Sequence, residues 1–354
     1  MKLKKKRIIL PLVILFIAFL FISYRFSIFN FHKGTKANIP KDKSGFFLGT
    51  YVNIKIYNNT SDKIFDNVFN ILKDIENKMS ININTSEVSK INQNAGKESV
   101  TVSPETFAVI KKGQYYSNLS KGHFDISIGP LVKLWGIGSD HAKVPTPAEI
   151  NQNKVKINYK NIVIDDKSKS VKLSNNGMMI DLGGIAKGYV ADQIAQYLKS
   201  QDVKKAIINL GGNIFTLGSK PNGDSWNIGV QNPFKSRGEY IGILHVKDKS
   251  IVTSGVYERF LEKDGKRYHH ILSPFTGYPV NNSLMSTTII SNKSIDGDAL
   301  STTAFSLGLA DGMKLIESLD GIEAIFVNEK KEVYITSGLK NKFNLTNENF
   351  KLIY

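Results

Sequence analysis

Met179-Ile180-Asp181-Leu182-Gly183-Gly184-Ile185-Ala186-Lys187-Gly188-Tyr189 is the stretch on which the reading of this chain turns. An apolar run, Gly177 to Ile180, ends in an acid and two glycines. Ile185, Tyr189, Ile194, Tyr197 and Leu198 then recur at helical spacing, and Ala206-Ile207-Ile208 follows as a second apolar run. The pattern predicts strand, glycine turn, helix and strand. Such a turn offers backbone N–H groups at a helix N-terminus to a phosphate. The plain alternative is a tight connection that uses glycine for its φ angles, and the stretch alone does not separate the two.

Upstream, Thr50 to Tyr57 alternates as a strand and Ile64 to Met79 has helical period, with Ile64, Val68, Ile71, Leu72 and Ile75 on one face. A helix is expected over Thr106 to Tyr116, behind Pro104. Asn161 to Leu173 reads as a hairpin turning at Asp165-Asp166-Lys167. Downstream, strands are expected at Trp226–Val230, Tyr240–Val246, Ser250–Val252, Leu284–Ile290, Ile322–Val327 and Val333–Ile335, with a helix at Asp298–Leu307. Strands and helices in mixed order point to an α+β fold rather than a doubly wound sheet. Leu-Gly-Gly occurs twice, at Leu182–Gly184 and Leu210–Gly212, too few copies for a repeat.

The N-terminus is of another kind. Five basic residues in Lys2–Arg7 precede a 17-residue apolar run, Ile8 to Tyr24, broken only by Pro11 and Ser23. That length is at the lower limit for a spanning helix, and the preceding charge predicts a cytoplasmic N-terminus with the remainder exported. No small-x-small cleavage site follows, which favours a retained single-pass anchor over a cleaved signal peptide. The expected organisation is a basic stub and anchor over 1–31, a solvated linker over 32–45 and an extracytoplasmic domain over 46–354.

The 354 residues carry a formal charge of +16, and six of the 47 basic residues lie in the first 25. The remainder holds 41 basic against 31 acidic side chains, without an arginine-rich arm, which is a solvated surface rather than a nucleic-acid footprint. There is no cysteine, so disulfides, thiolate catalysis and thiolate metal sites are excluded.

Candidate chemistry is scattered along the chain. Gly183 to Gly188 has neither the dinucleotide G-x-G-x-x-G spacing nor a P-loop Gly-Lys-Ser/Thr, so an anion here would meet Lys187 as a point charge, unless Lys187 is a solvated helix lysine. Asp298 and Thr302, four apart on one helix face, offer hard oxygen ligands to Mg²⁺; the alternative is that Asp298 caps its own helix. His269 and His270 are adjacent and point apart on a strand, so one is a candidate general base and the other structural. Ser254, in Thr253-Ser254-Gly255, lacks the nucleophile elbow of a serine hydrolase served by His270.

Taken in order, eight motifs give this chain its resemblance to the ApbE-like FAD:protein FMN transferases. They are Phe47-Leu48-Gly49-Thr50; Met79-Ser80 with Ser86-Glu87 and Ile91-Asn92; Gly122-His123-Phe124-Asp125-Ile126 with Gly129-Pro130-Leu131-Val132 and Trp135-Gly136; Asp181 to Tyr189; Asn209-Leu210-Gly211-Gly212-Asn213; Thr253-Ser254-Gly255; His270-Ile271 with Pro274 and Thr276-Gly277; and Asp298-Ala299-Leu300-Ser301-Thr302. The resemblance runs from about Phe46 to the C-terminus. It implies a tunnelling-fold-like α+β domain and Mg²⁺-dependent transfer of FMN from FAD to a Thr or Ser hydroxyl of an acceptor flavoprotein, with AMP released. By the same resemblance, Leu48, His123, Phe124, Asp125, Asp181, Lys187 and Ile271 contact FAD. Asp298, Thr302 and the carbonyl of Gly184 hold the metal, and His270 is the base that the chemistry asks for. Leu48 stands for the usual Met, His123 for a small residue, and Asn82 where an aromatic ring commonly stacks, so Asn82 is left out of the contacts. Two alternatives stay open: an FAD pyrophosphatase that lets water attack, and a flavin carrier without chemistry.

Overall fold

A computed structural model describes residues 40–353. The expected anchor at 1–31 lies outside the described residues; among the described residues no helix is long and apolar enough to cross a membrane. The first strand begins at Lys41, inside the segment expected to be linker, because Lys41–Phe47 pairs along its whole length with Thr50–Ile56.

The frame is a nine-stranded sheet whose strands lie side by side in the order in which they occur in the chain. They are Lys41–Phe47, Thr50–Ile56, Ala206–Leu210, Asn213–Leu217, Ser250–Gly255, Leu284–Ser291, Glu323–Asn328, Glu332–Ile335 and Lys351–Ile353. Every neighbouring pair is antiparallel except the last, which is parallel. The expected α+β class holds.

Both faces of this sheet are covered, and Leu284–Ser291 in its middle is buried at all positions but Met285. Successive side chains point to opposite faces. Ile208 and Ile289 pack with the helices, among Phe65, Val68 and Leu72 of Lys63–Met79, Val190, Ile194 and Leu198 of Ala186–Ser200, and Ala299 and Ala304 of Ser294–Leu307. Their neighbours Ile207 and Ile290 pack on the other side, with Ile251, Ile325 and Val327. That side is closed by a second sheet of Phe343–Leu345, Tyr240–Val246 and Trp226–Gln231, which contributes Trp226, Ile228 and Leu244. Each fully buried aliphatic side chain stabilises the fold by roughly 1.5–3 kcal/mol. The helix face carries the candidate site; the opposite face is packing alone.

Two sequence expectations change. Gly177–Ile180 is not a strand: Met179 makes only an isolated parallel bridge with Ile128. Its backbone partners lie in the 126–129 segment, with Asp181 N–H donating to Ile126 O at 2.8 Å and Gly129 N–H to Met179 O at 3.2 Å. The Asn92 side chain completes the pairing, accepting from Ile180 N–H at 2.8 Å and donating to Ile180 O at 3.0 Å, so one amide imitates a neighbouring strand. The helix expected from Asp298 starts at Ser294. Lys293 at its cap supplies no side-chain bond; the cap comes from Asp192, which accepts from Ser294 N–H at 2.7 Å and Ile295 N–H at 2.9 Å. The second Leu-Gly-Gly is a two-residue hairpin between Ala206–Leu210 and Asn213–Leu217, with φ of 66° at Gly211 and 100° at Gly212.

Candidate active site

The glycine turn keeps few of its N–H groups free, contrary to the phosphate-cradle expectation. Gly183 N–H donates to Asp181 Oδ1 at 2.8 Å, while Ile185 and Ala186 N–H donate to Leu182 O at 3.0 and 2.8 Å. Gly188 N–H donates to Asp298 Oδ2 at 2.8 Å. Helix Ala186–Ser200 has no side-chain cap of its own, so Asp298 caps it from the neighbouring helix. The alternative reading of Asp298 as a cap for its own helix falls, since Asp298 sits in the second turn of that helix. The two helices meet closely enough that a Cβ on Gly188 would come within 2.3 Å of Ser294 O.

Taking the Gly188 N–H has a consequence one turn back. In a regular helix that donor would satisfy Gly184 O, four residues earlier. Among the described residues Gly184 O receives no hydrogen bond. A Cβ on Gly184 would lie 3.8 Å from Thr302 Oγ1 and 3.1 Å from the Phe124 ring, so the turn, Thr302 and Phe124 converge. Asp298 is 4% exposed, and its Oδ1 has Lys187 Nζ at 3.7 Å. Lys187 Nζ also donates to Gly183 O at 3.0 Å. Thr302 Oγ1 shares a hydroxyl cluster with Ser254 Oγ (3.2 Å), which also meets Ser301 Oγ (2.9 Å). Ser254 thus has hydroxyl partners and not His270, and the serine-hydrolase pairing is gone.

An unpartnered carbonyl, a carboxylate and a hydroxyl form a set of hard oxygen donors that fits Mg²⁺ with waters or phosphate oxygens completing its shell. Among the described residues no group of three His, Asp or Glu side chains could hold a metal, so this mixed set is the candidate.

The histidine pair divides cleanly. His269 Nε2 lies 2.9 Å from Val280 O, and its Nδ1 accepts from Ile271 N–H at 3.3 Å, so both nitrogens are spent on structure. Burial lowers its pKa. His270 Nδ1 lies 3.2 Å from Arg259 O. A carbonyl only accepts, so Nδ1 carries the proton and Nε2 keeps its lone pair. Desolvation pushes His270 down to about 3, with the nearby charges of Arg259, His269 and Lys187 acting in the same direction. His270 is therefore a neutral imidazole with a bare Nε2 at physiological pH.

The remaining expected residues differ in their surroundings. Asp181 is raised in pKa, first by desolvation, against the Gly183 N–H and the charges of Lys187 and Arg259. Leu48 and Gly49 form a two-residue hairpin with φ of 53° and 66°; Leu48 N–H donates to Glu76 Oε1 at 2.9 Å, which holds a non-glycine residue in the left-handed region. His123 stands edge-on to the exposed Phe275 ring at 4.9 Å. Asp125 is 7% exposed and accepts from Ser127 N–H (2.7 Å), Ser127 Oγ (2.6 Å) and Tyr159 N–H (3.1 Å), so its carboxylate anchors the loop that carries His123 and Phe124. Burial raises its pKa against those bonds. Ile271 is buried in the main core beside His270. Asn82 is exposed, and its N–H donates to Ser80 Oγ at 3.2 Å.

Arg259 carries no sequence signal, yet it touches two of these elements. Its guanidinium donates to Gly49 O at 2.8 Å, and its own carbonyl accepts from His270 N–H at 3.1 Å as well as from Nδ1.

Residues 48–326 match the model of the ApbE family. A protein of Klebsiella pneumoniae (strain 342) named FAD:protein FMN transferase is 39% identical over 310 residues, covering 88% of this chain and 96% of that one. Among solved structures, the ApbE protein of Thermotoga maritima superposes with a TM-score of 0.78 at 35% identity, over 85% of this chain and 98% of its own. The flavin transferase ApbE of Vibrio cholerae gives 0.77 at 29%, over 86% and 99%.

Proposed function

This chain belongs to the ApbE family, and on that premise we propose that it transfers FMN from FAD to a Thr or Ser hydroxyl of an acceptor flavoprotein, releasing AMP. The observation that carries the proposal is Gly184 O, left without its helical donor because Asp298 takes the Gly188 N–H, in a turn that also approaches the Thr302 hydroxyl. Those three groups would hold Mg²⁺, which draws charge from a bound diphosphate and makes the FMN phosphorus more electrophilic.

The chain's own residues supply the rest. Phosphoryl transfer needs positioning and charge neutralisation more than a covalent catalyst. Lys187, half-buried at the start of its helix and close to Asp298, is placed to meet a phosphate oxygen as a point charge. His270 Nε2 takes the proton from the acceptor hydroxyl as its oxygen bonds to the FMN phosphorus. The phosphorus–oxygen bond of the anhydride breaks, its electron pair leaves with AMP, and the proton passes on to solvent. His123, Phe124, Asp181, Leu48 and Ile271 line the flavin nucleotide's place in this reading, with Asp125 acting through the loop it anchors. The basic stub and apolar run at 1–31 support an anchored enzyme working outside the cytoplasm, the linker and catalytic domain following them.

Incubating the full chain with FAD, Mg²⁺ and a Thr-containing acceptor domain tests the proposal. Covalent fluorescent flavin on the acceptor, with one AMP per flavin, is the expected result. Free FMN and AMP without labelled acceptor would mean that water is the nucleophile, and unchanged FAD would leave only a carrier.

A further inference from the structure

Three arginines lie among the described residues, and their surroundings differ. Arg237 pairs with Glu258 at 2.5 Å and Arg267 with Glu262 at 2.9 Å. Arg259, between these two glutamates in sequence, forms no ion pair among the described residues; its guanidinium has one protein acceptor, the carbonyl of Gly49. A guanidinium has five N–H donors, so most of its fork is unspent. Its stem is held as well, since a Cβ on Gly138 would lie 3.2 Å from Arg259 Cδ, and a Cβ on Gly49 3.3 Å from the guanidinium nitrogen. The side chain is thus fixed by the Leu48–Gly49 hairpin and the Gly138 loop.

The position matters because of what else it faces. The charges of Arg259 and Lys187 both act on Asp181 and on His270. Lys187 reaches this region from the glycine-turn helix, and Arg259 from the turn between Ser250–Gly255 and Phe260–Lys263, where its carbonyl holds His270 and its guanidinium holds Gly49 O. Lys187 already has the Asp298 carboxylate at 3.7 Å, whereas the guanidinium has no carboxylate partner among the described residues. A planar fork suits two adjacent phosphate oxygens in a way that an ammonium does not.

We propose that Arg259 is a binding residue for the diphosphate of the dinucleotide, acting together with Lys187, while its backbone carbonyl keeps His270 in the tautomer with a bare Nε2. The inference rests on the flavin-transfer reading for the identity of the dinucleotide. It assigns one residue to two tasks: the guanidinium selects a ligand with a diphosphate, and the carbonyl orients the base. Substitution of the side chain removes only the first.

Arg259→Gln, in the full-length protein, keeps a donor for Gly49 O and removes the charge. Binding is read by quenching of flavin fluorescence with FAD and, separately, with riboflavin, which has no phosphate. The variant should bind FAD about tenfold more weakly or worse, the loss of a charge-assisted bond, with riboflavin binding unchanged. Arg259→Lys should recover part of the FAD affinity. Equal weakening toward both flavins would show a structural role for the hairpin contact and overturn the proposal, as would no change toward either. If riboflavin binds too weakly to measure, the salt dependence of FAD binding decides: it should be shallower in Arg259→Gln, and an identical slope is contrary. Acceptor labelling by the unaltered protein is scored alongside. If that protein binds FAD without labelling, the transfer reading fails while the Arg259 assignment is judged on affinity alone.

Discussion

The two Leu-Gly-Gly turns are the same tripeptide used for different physical reasons. At Leu210–Gly212 the glycines are dictated by the backbone, with both φ angles positive and the Gly211 Cα so close to Thr50 that a Cβ would sit 1.9 Å from its Oγ1. At Leu182–Gly184 neither glycine has a positive φ. There the residue is small because other groups come near: Asp181 Oδ1 beside Gly183, and Phe124 and Thr302 beside Gly184. The first turn needs glycine for its dihedral angles, and the second for the side chains that crowd the place of a Cβ. Identical sequence therefore says little about which glycine is functional; what the neighbouring helix takes from the backbone decides it.

The contrast is sharpest at Asp298, which has no counterpart at the second turn. Asp298→Ala should remove one oxygen ligand and return the Gly188 N–H to Gly184 O. Flavin transfer is expected to fall by about 10³-fold or more, read as initial rates of acceptor labelling. Labelling at the unaltered rate would remove the metal assignment.

The histidine pair repeats the comparison at smaller scale. His270→Gln should slow transfer by about 10²–10⁴-fold with little change in Tm, the loss of a general base. His269→Gln should instead lower stability by about 1–3 kcal/mol, because two buried hydrogen bonds are lost, and leave kcat within severalfold. Exchange of these two outcomes would reverse the assignment.

Between the turns themselves, Gly211→Ala should destabilise the protein by about 2–3 kcal/mol, since strain and overlap add. Gly184→Ala should shift stability by under about 1 kcal/mol and show its effect in transfer kinetics. Equal thermal shifts in the two variants would dissolve the distinction.

The smallest expected effect is on pH. His270 is pushed down to about 3 by desolvation, so lowering the pH from 8 to 5 does not protonate it in the free enzyme. The acid limb of kcat/KM, which reports free-enzyme groups, should lie below pH 5 and not near the ordinary histidine value of about 6.5.

Periodicity made much of the fold legible. Tyr240–Val246 matches its expectation to the residue, and Lys63–Met79 begins one residue early. What stayed hidden was supplied from elsewhere in the chain. Helix Ser294–Leu307 starts four residues before its expected beginning because its cap is Asp192, a hundred residues away. Gly177–Ile180 has a strand's composition, but the partner that its backbone finds is a side chain, Asn92. Short helices at Glu87–Gln93 and Gly129–Trp135 are too brief to show a period. The candidate site residues came from a family resemblance, and the structure sets Asp298 against Gly188 and Lys187 and the Gly184 turn against Phe124 and Thr302. Arg259 was not legible, because its neighbours Arg237 and Arg267 look alike in sequence and only pairing in space separates them.

Crystals of the full-length protein grown with FAD and Mn²⁺, the manganese located by its anomalous signal, put the central relation to its most direct test. The ion should lie among Gly184 O, the Asp298 carboxylate and Thr302 Oγ1, with the diphosphate between Lys187 and Arg259. A dinucleotide bound away from the glycine turn, or manganese bound elsewhere with these three oxygens left to water, would contradict it.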